Sequence, residues 1–185
     1  MTASIIMVVR HAEKPEDEAV GVQWSGSQDT ESLIVQGWQR AGALAVLFDP
    51  THGPLQNSAL AIPQYLFAAD FDPTDPESSK RPVQTLQPLS LKLNVTITDS
   101  FGKGDYKEMV AAAIACSGIV LIAWQHDDIP DISNAILGNN STVPQKWSGD
   151  RYDLIWVFTA QPSGGYSFQQ VPQLLLAGDS ASPIS

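Results

Sequence analysis

Cysteine is almost missing from this chain: Cys116 is the only one. That excludes an intramolecular disulfide, a cysteine-rich metal site and a Cys-x-x-Cys redox pair. Positive charge is also scarce, with ten Lys and Arg against twenty Asp and Glu, for a formal net charge of −10. A surface of that sign cannot broadly neutralise a phosphate backbone or an anionic lipid face, so nucleic acid and membranes are not expected partners. No apolar run approaches the roughly 20 residues that span a bilayer. The start of the chain has no basic leader before its short apolar run, and the expected location is cytoplasmic. Arginine occurs only at positions 10, 40, 81 and 151, so any anion site must be assembled from few groups.

What is present is an ordinary globular composition, 43% hydrophobic and 16% charged over 185 residues. That length suits one domain, expected over 1–176 and followed by a flexible C-terminal tail, 177–185. Ser4 to Val9 is continuous and rich in β-branched residues, as in a buried parallel strand. A polar loop, Glu13 to Ser32, separates it from a helix over Leu33 to Phe48 that Asp49-Pro50 ends. Gln64 to Ala69 reads as a second strand, and an acidic, Pro-rich loop from Asp70 to Ser79 follows. A helix with Pro82 in its first turn runs to about Leu93. Val95 to Thr98 is expected as an edge strand, Asp105 to Cys116 as a helix and Ile119 to Trp124 as a strongly marked strand. A short helix, Ile129 to Leu137, closes at Gly138, and 139–150 reads as loop. Asp153 to Thr159 and Tyr166 to Val171 form an antiparallel hairpin. The alternation implies an α/β fold: three layers, a mostly parallel central sheet with helices on both faces.

In such sheets ligands bind outside the carboxyl ends of the strands. Two strands end there in a histidine, His11 after Arg10 and His126 after Gln125. Between them, Ser78-Ser79-Lys80-Arg81-Pro82-Val83-Gln84-Thr85 places Arg81 at a helix N-terminus, where anions are favoured. The Arg-His pair after the first strand, the Ser-x-x-Arg-x-x-x-Thr element and the late histidine, together with Leu33-x-x-x-Gly37-x-x-x-Ala41, resemble the histidine phosphatase superfamily, with its phosphoglycerate mutase-like fold. The matching features run from about residue 4 to 137.

The resemblance implies that His11 is a nucleophile phosphorylated on a ring nitrogen, with no cofactor and no metal. Arg10 beside it disfavours the imidazolium. Arg10, Arg81 and a protonated His126 are then the groups that hold the phosphoryl oxygens, whose charge must be stabilised in transfer. The leaving alkoxide needs a proton. Asp127, directly after the second histidine, and Asp99 match the two places where the family carries a carboxylate, and Glu13 is a third choice. Lys14 and Glu13 are further expected substrate contacts. Two positions depart from the family pattern: Ala12 stands where glycine is usual, and Asp17 where several relatives carry Asn.

The remaining candidates have plainer readings. His52 is an exposed loop residue, Arg40 and Arg151 are solvated or paired charges, and Cys116 is a core residue. Trp124 lines either the pocket or the core. The expected activity is metal-independent hydrolysis of a phosphomonoester, carried by a small molecule or a phosphoprotein, with inorganic phosphate in the pocket. The alternatives are a catalytically silent phosphoryl-binding or interaction module of the same fold and, less favoured, a phosphomutase.

Overall fold

The computed structural model describes residues 2–75 and 78–185; Pro76 and Glu77, in the acidic loop expected between Asp70 and Ser79, lie outside the described residues. The elements are β1 (Ile5–Arg10), α1 (Val35–Phe48), β2 (Tyr65–Ala69), α2 (Arg81–Leu93), β3 (Ile97–Phe101), α3 (Tyr106–Ala115), β4 (Ile119–Trp124), α4 (Ile129–Leu137), β5 (Leu154–Ala160) and β6 (Tyr166–Pro172). They form one six-stranded sheet in the order β3-β2-β4-β1-β5-β6. The first four strands run parallel, β5 is antiparallel to β1, and β6 forms the expected hairpin with β5.

The chain steps one way along the sheet from β1 through β2 to β3, then turns back to β4. Parallel crossovers keep a right hand, so reversing direction moves the connecting helix to the opposite face. Period-two alternation sorts the side chains accordingly. Met7, Val9, Leu66, Leu121 and Ala123 pack under α1 and α2 with Leu44, Phe48, Leu86 and Leu89. Ile6, Val8, Val120, Ile122 and Trp156 pack under α3 and α4 with Met109, Val110, Ile129 and Ile132. Trp124 belongs to this second core and is fully buried. β1 and β4 are covered on both faces, which explains their unbroken apolar sequences.

Helix ends follow local chemistry. Pro82 and Pro130 lie in first turns, where a missing N–H leaves nothing unsatisfied. Gly138 closes α4 in the left-handed conformation (φ 70°). The edge strand β3 begins at Ile97, later than the sequence pattern places it. Asn94 takes a left-handed cap (φ 55°) and the Val95 N–H bonds the Ser90 carbonyl, so Val95 still finishes α2.

The segment read as a flexible tail carries specific contacts. Asp179 accepts two bonds from Arg40, at 2.7 and 3.1 Å. The Ser180 N–H bonds Asp153, and Ile184 exchanges two bonds with Gln170. Among the described residues no helix is long and apolar enough to cross a membrane.

Candidate active site

β1 and β4 are neighbours in register, Arg10 opposite Trp124, and the His11 N–H continues the ladder to the Trp124 carbonyl at 2.8 Å. His11 and the Gln125-His126 segment therefore leave the sheet side by side. The N-terminus of α2 delivers Arg81 to the same edge. His11, Ser78, Ser79, Arg81, Lys103 and Gln125 are among the walls of a narrow cleft of about 40 Å³. One water needs roughly 10–15 Å³ on this measure, so the cleft takes a group of a few heavy atoms and leaves a larger body outside. A groove of about 450 Å³ between Trp24, Val35, Trp38 and Pro88 is far larger but apolar, without convergent titratable groups.

His11 is buried, and its Nδ1 lies 2.7 Å from the Ala12 carbonyl oxygen. A carbonyl only accepts, so Nδ1 carries the ring proton and Nε2 presents its lone pair. Burial drives the His11 pKa well below the ordinary histidine value; Arg10, Arg81 and His126 push it the same way, while the Ala12 carbonyl opposes them. The ring is neutral near pH 7. Its backbone support is doubly tied: the Ala12 N–H donates to Thr85 Oγ1 (2.8 Å), and that hydroxyl donates to the Arg81 carbonyl (2.7 Å). Thr85 thus couples the His11 turn to the helix that carries Arg81. The methyl of Ala12, where the family pattern has glycine, packs in a small cluster with Leu33 and Ala41.

Arg10 is almost completely buried and clamped from one side. Its Nη1 donates to the carbonyls of Gly149 and Arg151, its Nη2 to Tyr152 Oη at 3.1 Å, and its Cζ lies 3.7 Å over the Tyr152 ring. Arg81 donates Nη1 to the Thr30 carbonyl and lies 3.8 Å from Glu31. In both arginines the Nε–H is buried and, among the described residues, has no hydrogen-bond partner. Two buried, unsatisfied, charged donors whose fields both reach the His11 imidazole are costly unless an anion comes to them. His126 lies against Gly149, and its Nε2 is 3.4 Å from Asp127 Oδ1. Burial and Arg10 lower the His126 pKa; Asp127 opposes them.

The other expected residues lie at the rim or outside the cleft. Asp127 is at the rim, with its side chain 72% exposed. Asp99 lines a separate groove with Val83, Gln87 and Ile97 at the sheet edge, away from His11. Glu13 turns inward to Arg40, at 2.8 Å, and does not line the cleft. Lys14 is half exposed, 3.8 Å from Glu16, although its charge reaches His126. Asp17 is an exposed turn residue with a left-handed backbone (φ 53°). Arg40 and Arg151 are both paired.

Sequence reasoning passed over Lys103, Gln125, Asp128 and Tyr152. Lys103 had a usable signal: it stands between two glycines just past the carboxyl end of β3. Asp128 occupies the N-cap position of α4 without capping it; its carboxylate accepts from Gln125 Nε2 instead. Burial raises the Asp128 pKa, while the Gln125 bond and Lys103 oppose the rise. Tyr152 arrives from a distant loop and had no local signal. Among the described residues no group of three or more His, Cys, Asp or Glu is placed to hold a metal ion.

No family model matches the sequence, and no curated protein matches it. Solved structures do. A mycobacterial glucosyl-3-phosphoglycerate phosphatase in complex with VO3 superposes with a TM-score of 0.57 and 13% identity, covering 90% of this chain and 98% of that one. A phosphoserine phosphatase mutant from Entamoeba histolytica, in complex with phosphoserine, gives 0.52 and 11%, covering 89% and 94%. SixA from Agrobacterium tumefaciens gives 0.53 and 15%, covering 90% and 97%. The likeness is one of fold: this chain shares the α/β architecture of these phosphatases.

Proposed function

We propose that this protein is a phosphatase that hydrolyses a phosphomonoester through a phosphohistidine on His11. The observation that carries the reading is the pairing of a neutral His11, its Nδ1–H on the Ala12 carbonyl, with the two open, buried Nε–H groups of Arg10 and Arg81. In the first step the Nε2 lone pair attacks phosphorus, the ester P–O bond breaks, and the leaving oxygen takes a proton from a carboxylic acid. In the second, water attacks phosphorus, the P–N bond breaks, the water proton returns to that carboxylate, and inorganic phosphate departs. Arg10 and Arg81 stabilise the non-bridging oxygens in both steps, and His126 is the third group facing them. No cofactor enters this scheme.

Of the carboxylates about the cleft, Asp70 is part of its wall, and two more are candidates for the acid. Asp127 rests against His126 at the rim, and Asp128 bonds Gln125, a residue of the cleft wall. The narrow cleft suits the phosphoryl head of a small metabolite or of a phosphoprotein, with the remainder of the substrate outside. Related folds have been captured with phosphoserine and with inorganic phosphate, which supports a small phosphate-bearing substrate. A cytoplasmic location belongs to the same proposal.

The test is hydrolysis of p-nitrophenyl phosphate in the presence of a chelator. Turnover inhibited by vanadate and abolished in His11→Ala is expected. Undiminished turnover in that variant refutes the mechanism.

A further inference from the structure

Arg40, on α1, is buried, and all three of its guanidinium nitrogens are engaged. Its Nε donates to Glu13 Oε1 at 2.9 Å; Nη1 donates to Gln173 Oε1 at 2.9 Å and Asp179 Oδ2 at 3.1 Å; Nη2 lies 2.7 Å from Asp179 Oδ1 and 2.8 Å from Glu13 Oε1. Asp179 is itself fixed, because its Oδ2 also accepts the N–H groups of Leu175 and Leu176. A planar, forked guanidinium fixes direction as well as distance, which a lysine does not. Buried ion pairs stabilise folds poorly compared with apolar packing of equal volume, so a cluster of this kind invites a role in geometry.

Its position supplies that role. Glu13 follows Ala12, whose carbonyl holds the His11 Nδ1 proton. The peptide plane between Ala12 and Glu13 is therefore what selects the tautomer. Its amino-terminal side is held by the Ala12 N–H on Thr85. Its carboxyl-terminal side is held by the Glu13 carbonyl, which accepts from Ile34 N–H at 3.1 Å, and by the Glu13 carboxylate on Arg40. The backbone of Glu13 also runs so close to Gly37 that a Cβ there would lie 2.6 Å from the Glu13 carbonyl oxygen. Glu13 further adds to the negative potential felt by Arg10.

We infer that Arg40, Glu13 and Asp179 form a latch through which the C-terminal segment holds the Ala12–Glu13 peptide plane, and with it the reactive tautomer of His11. The three are positioning residues; none lines the cleft. The inference rests on the reading of His11 as nucleophile, but its primary test does not require turnover.

Asp179→Asn retains an oxygen for the Leu175 and Leu176 N–H groups while placing an amide against Arg40. The imidazole ¹⁵N NMR signals of His11 are then compared between wild type, this variant and Gln170→Ala, which frees the far end of the tail without touching the latch. The expected result is a single Nδ1–H pattern in wild type and Gln170→Ala, and a mixture of tautomers in Asp179→Asn. With p-nitrophenyl phosphate, kcat of Asp179→Asn falls by roughly ten- to a hundredfold, as for a small misplacement of a reacting group, while KM stays within about twofold. Asp179→Glu, which keeps the charge, recovers part of kcat. Should Asp179→Asn fail to fold, Arg40→Lys is read in the same way. Wild-type ring signals and wild-type kcat in either variant overturn the latch. A wild-type protein with no turnover counts against the phosphatase reading instead, and the ring signals still decide the latch.

Discussion

Arg10 and Arg40 are two buried arginines in one small protein, 1% and 3% exposed, and they are built for opposite ends. Arg40 has no open donor: two carboxylates and an amide oxygen meet its fork. Arg10 is pinned by two carbonyls and a tyrosine, neutral groups all, and among the described residues its Nε–H has nothing to bond. Neutral acceptors fix a guanidinium without cancelling its charge, whereas carboxylates cancel it. Among the described residues, the fold leaves one guanidinium without a hydrogen-bonded carboxylate at the carboxyl edge of the sheet and pairs the other, on α1, with two. Burial alone distinguishes neither; the partners do.

Exchanging each arginine for methionine is expected to have the largest effects, and on different properties. Arg10→Met is expected to lower kcat/KM by about 10³-fold or more, the range for loss of a charged group from a phosphoryl-transfer site. Its effect on stability is smaller, because no anion is stranded. A near-wild-type kcat/KM for p-nitrophenyl phosphate contradicts the assignment. Arg40→Met leaves Glu13 and Asp179 buried without their counter-charge and is expected to cost about 3–5 kcal/mol in urea unfolding. A cost below about 1 kcal/mol means that the cluster is dispensable.

The two regions also separate by pH. Burial holds the folded-state pKa of His11 well below its unfolded value. The unfolded chain therefore binds the extra proton, and this contribution to stability is present above about pH 6.5 and declines as pH falls below it. His11→Asn should flatten stability in that window, and the acid limb of kcat/KM in wild type should lie well below pH 6.5. At Asp179, burial raises the pKa, but the Arg40 bond and the Leu175 and Leu176 N–H groups outweigh it and leave it low. Its contribution is present above about pH 4 and lost only as pH falls through the folded value. Thermal unfolding across pH 2–8 resolves the two windows; a loss near pH 6.5 that persists in His11→Asn and in a matching His126 variant contradicts this account.

The smallest expected effect is at the clamp. Tyr152→Phe keeps the ring beneath Arg10 and removes only the hydroxyl acceptor, for a few-fold loss in kcat/KM. Tyr152→Leu also removes the cation–π contact, worth about 0.5–2 kcal/mol, and should lose up to about tenfold more. Equal effects of the two variants leave the ring without a role in holding Arg10.

Much of this was legible in the sequence because it is local. β1, β4 and α4 are written in apolar runs and a closing glycine, and Arg10-His11, Arg81 and Gln125-His126 follow from strand ends and a helix start. The parts that escaped depend on pairings across the fold. Glu13 belongs to Arg40 rather than to the cleft because Asp179 folds back from the far end of the chain. Tyr152 reaches Arg10 across a separation of 142 residues. Asp99 matched a family position, but β3 begins two residues later than its β-branched run suggests, and its carboxylate faces another groove.

The central claim is that His11, and no other group, carries the phosphoryl group. Brief reaction with a phosphomonoester, alkaline quench and mapping of the proteolytic peptides by mass spectrometry tests it most directly. A base-stable, acid-labile phosphoryl group is expected on the peptide containing His11, lost in His11→Ala together with turnover. Turnover with no such adduct in wild type, or with the phosphoryl group on another residue, contradicts it.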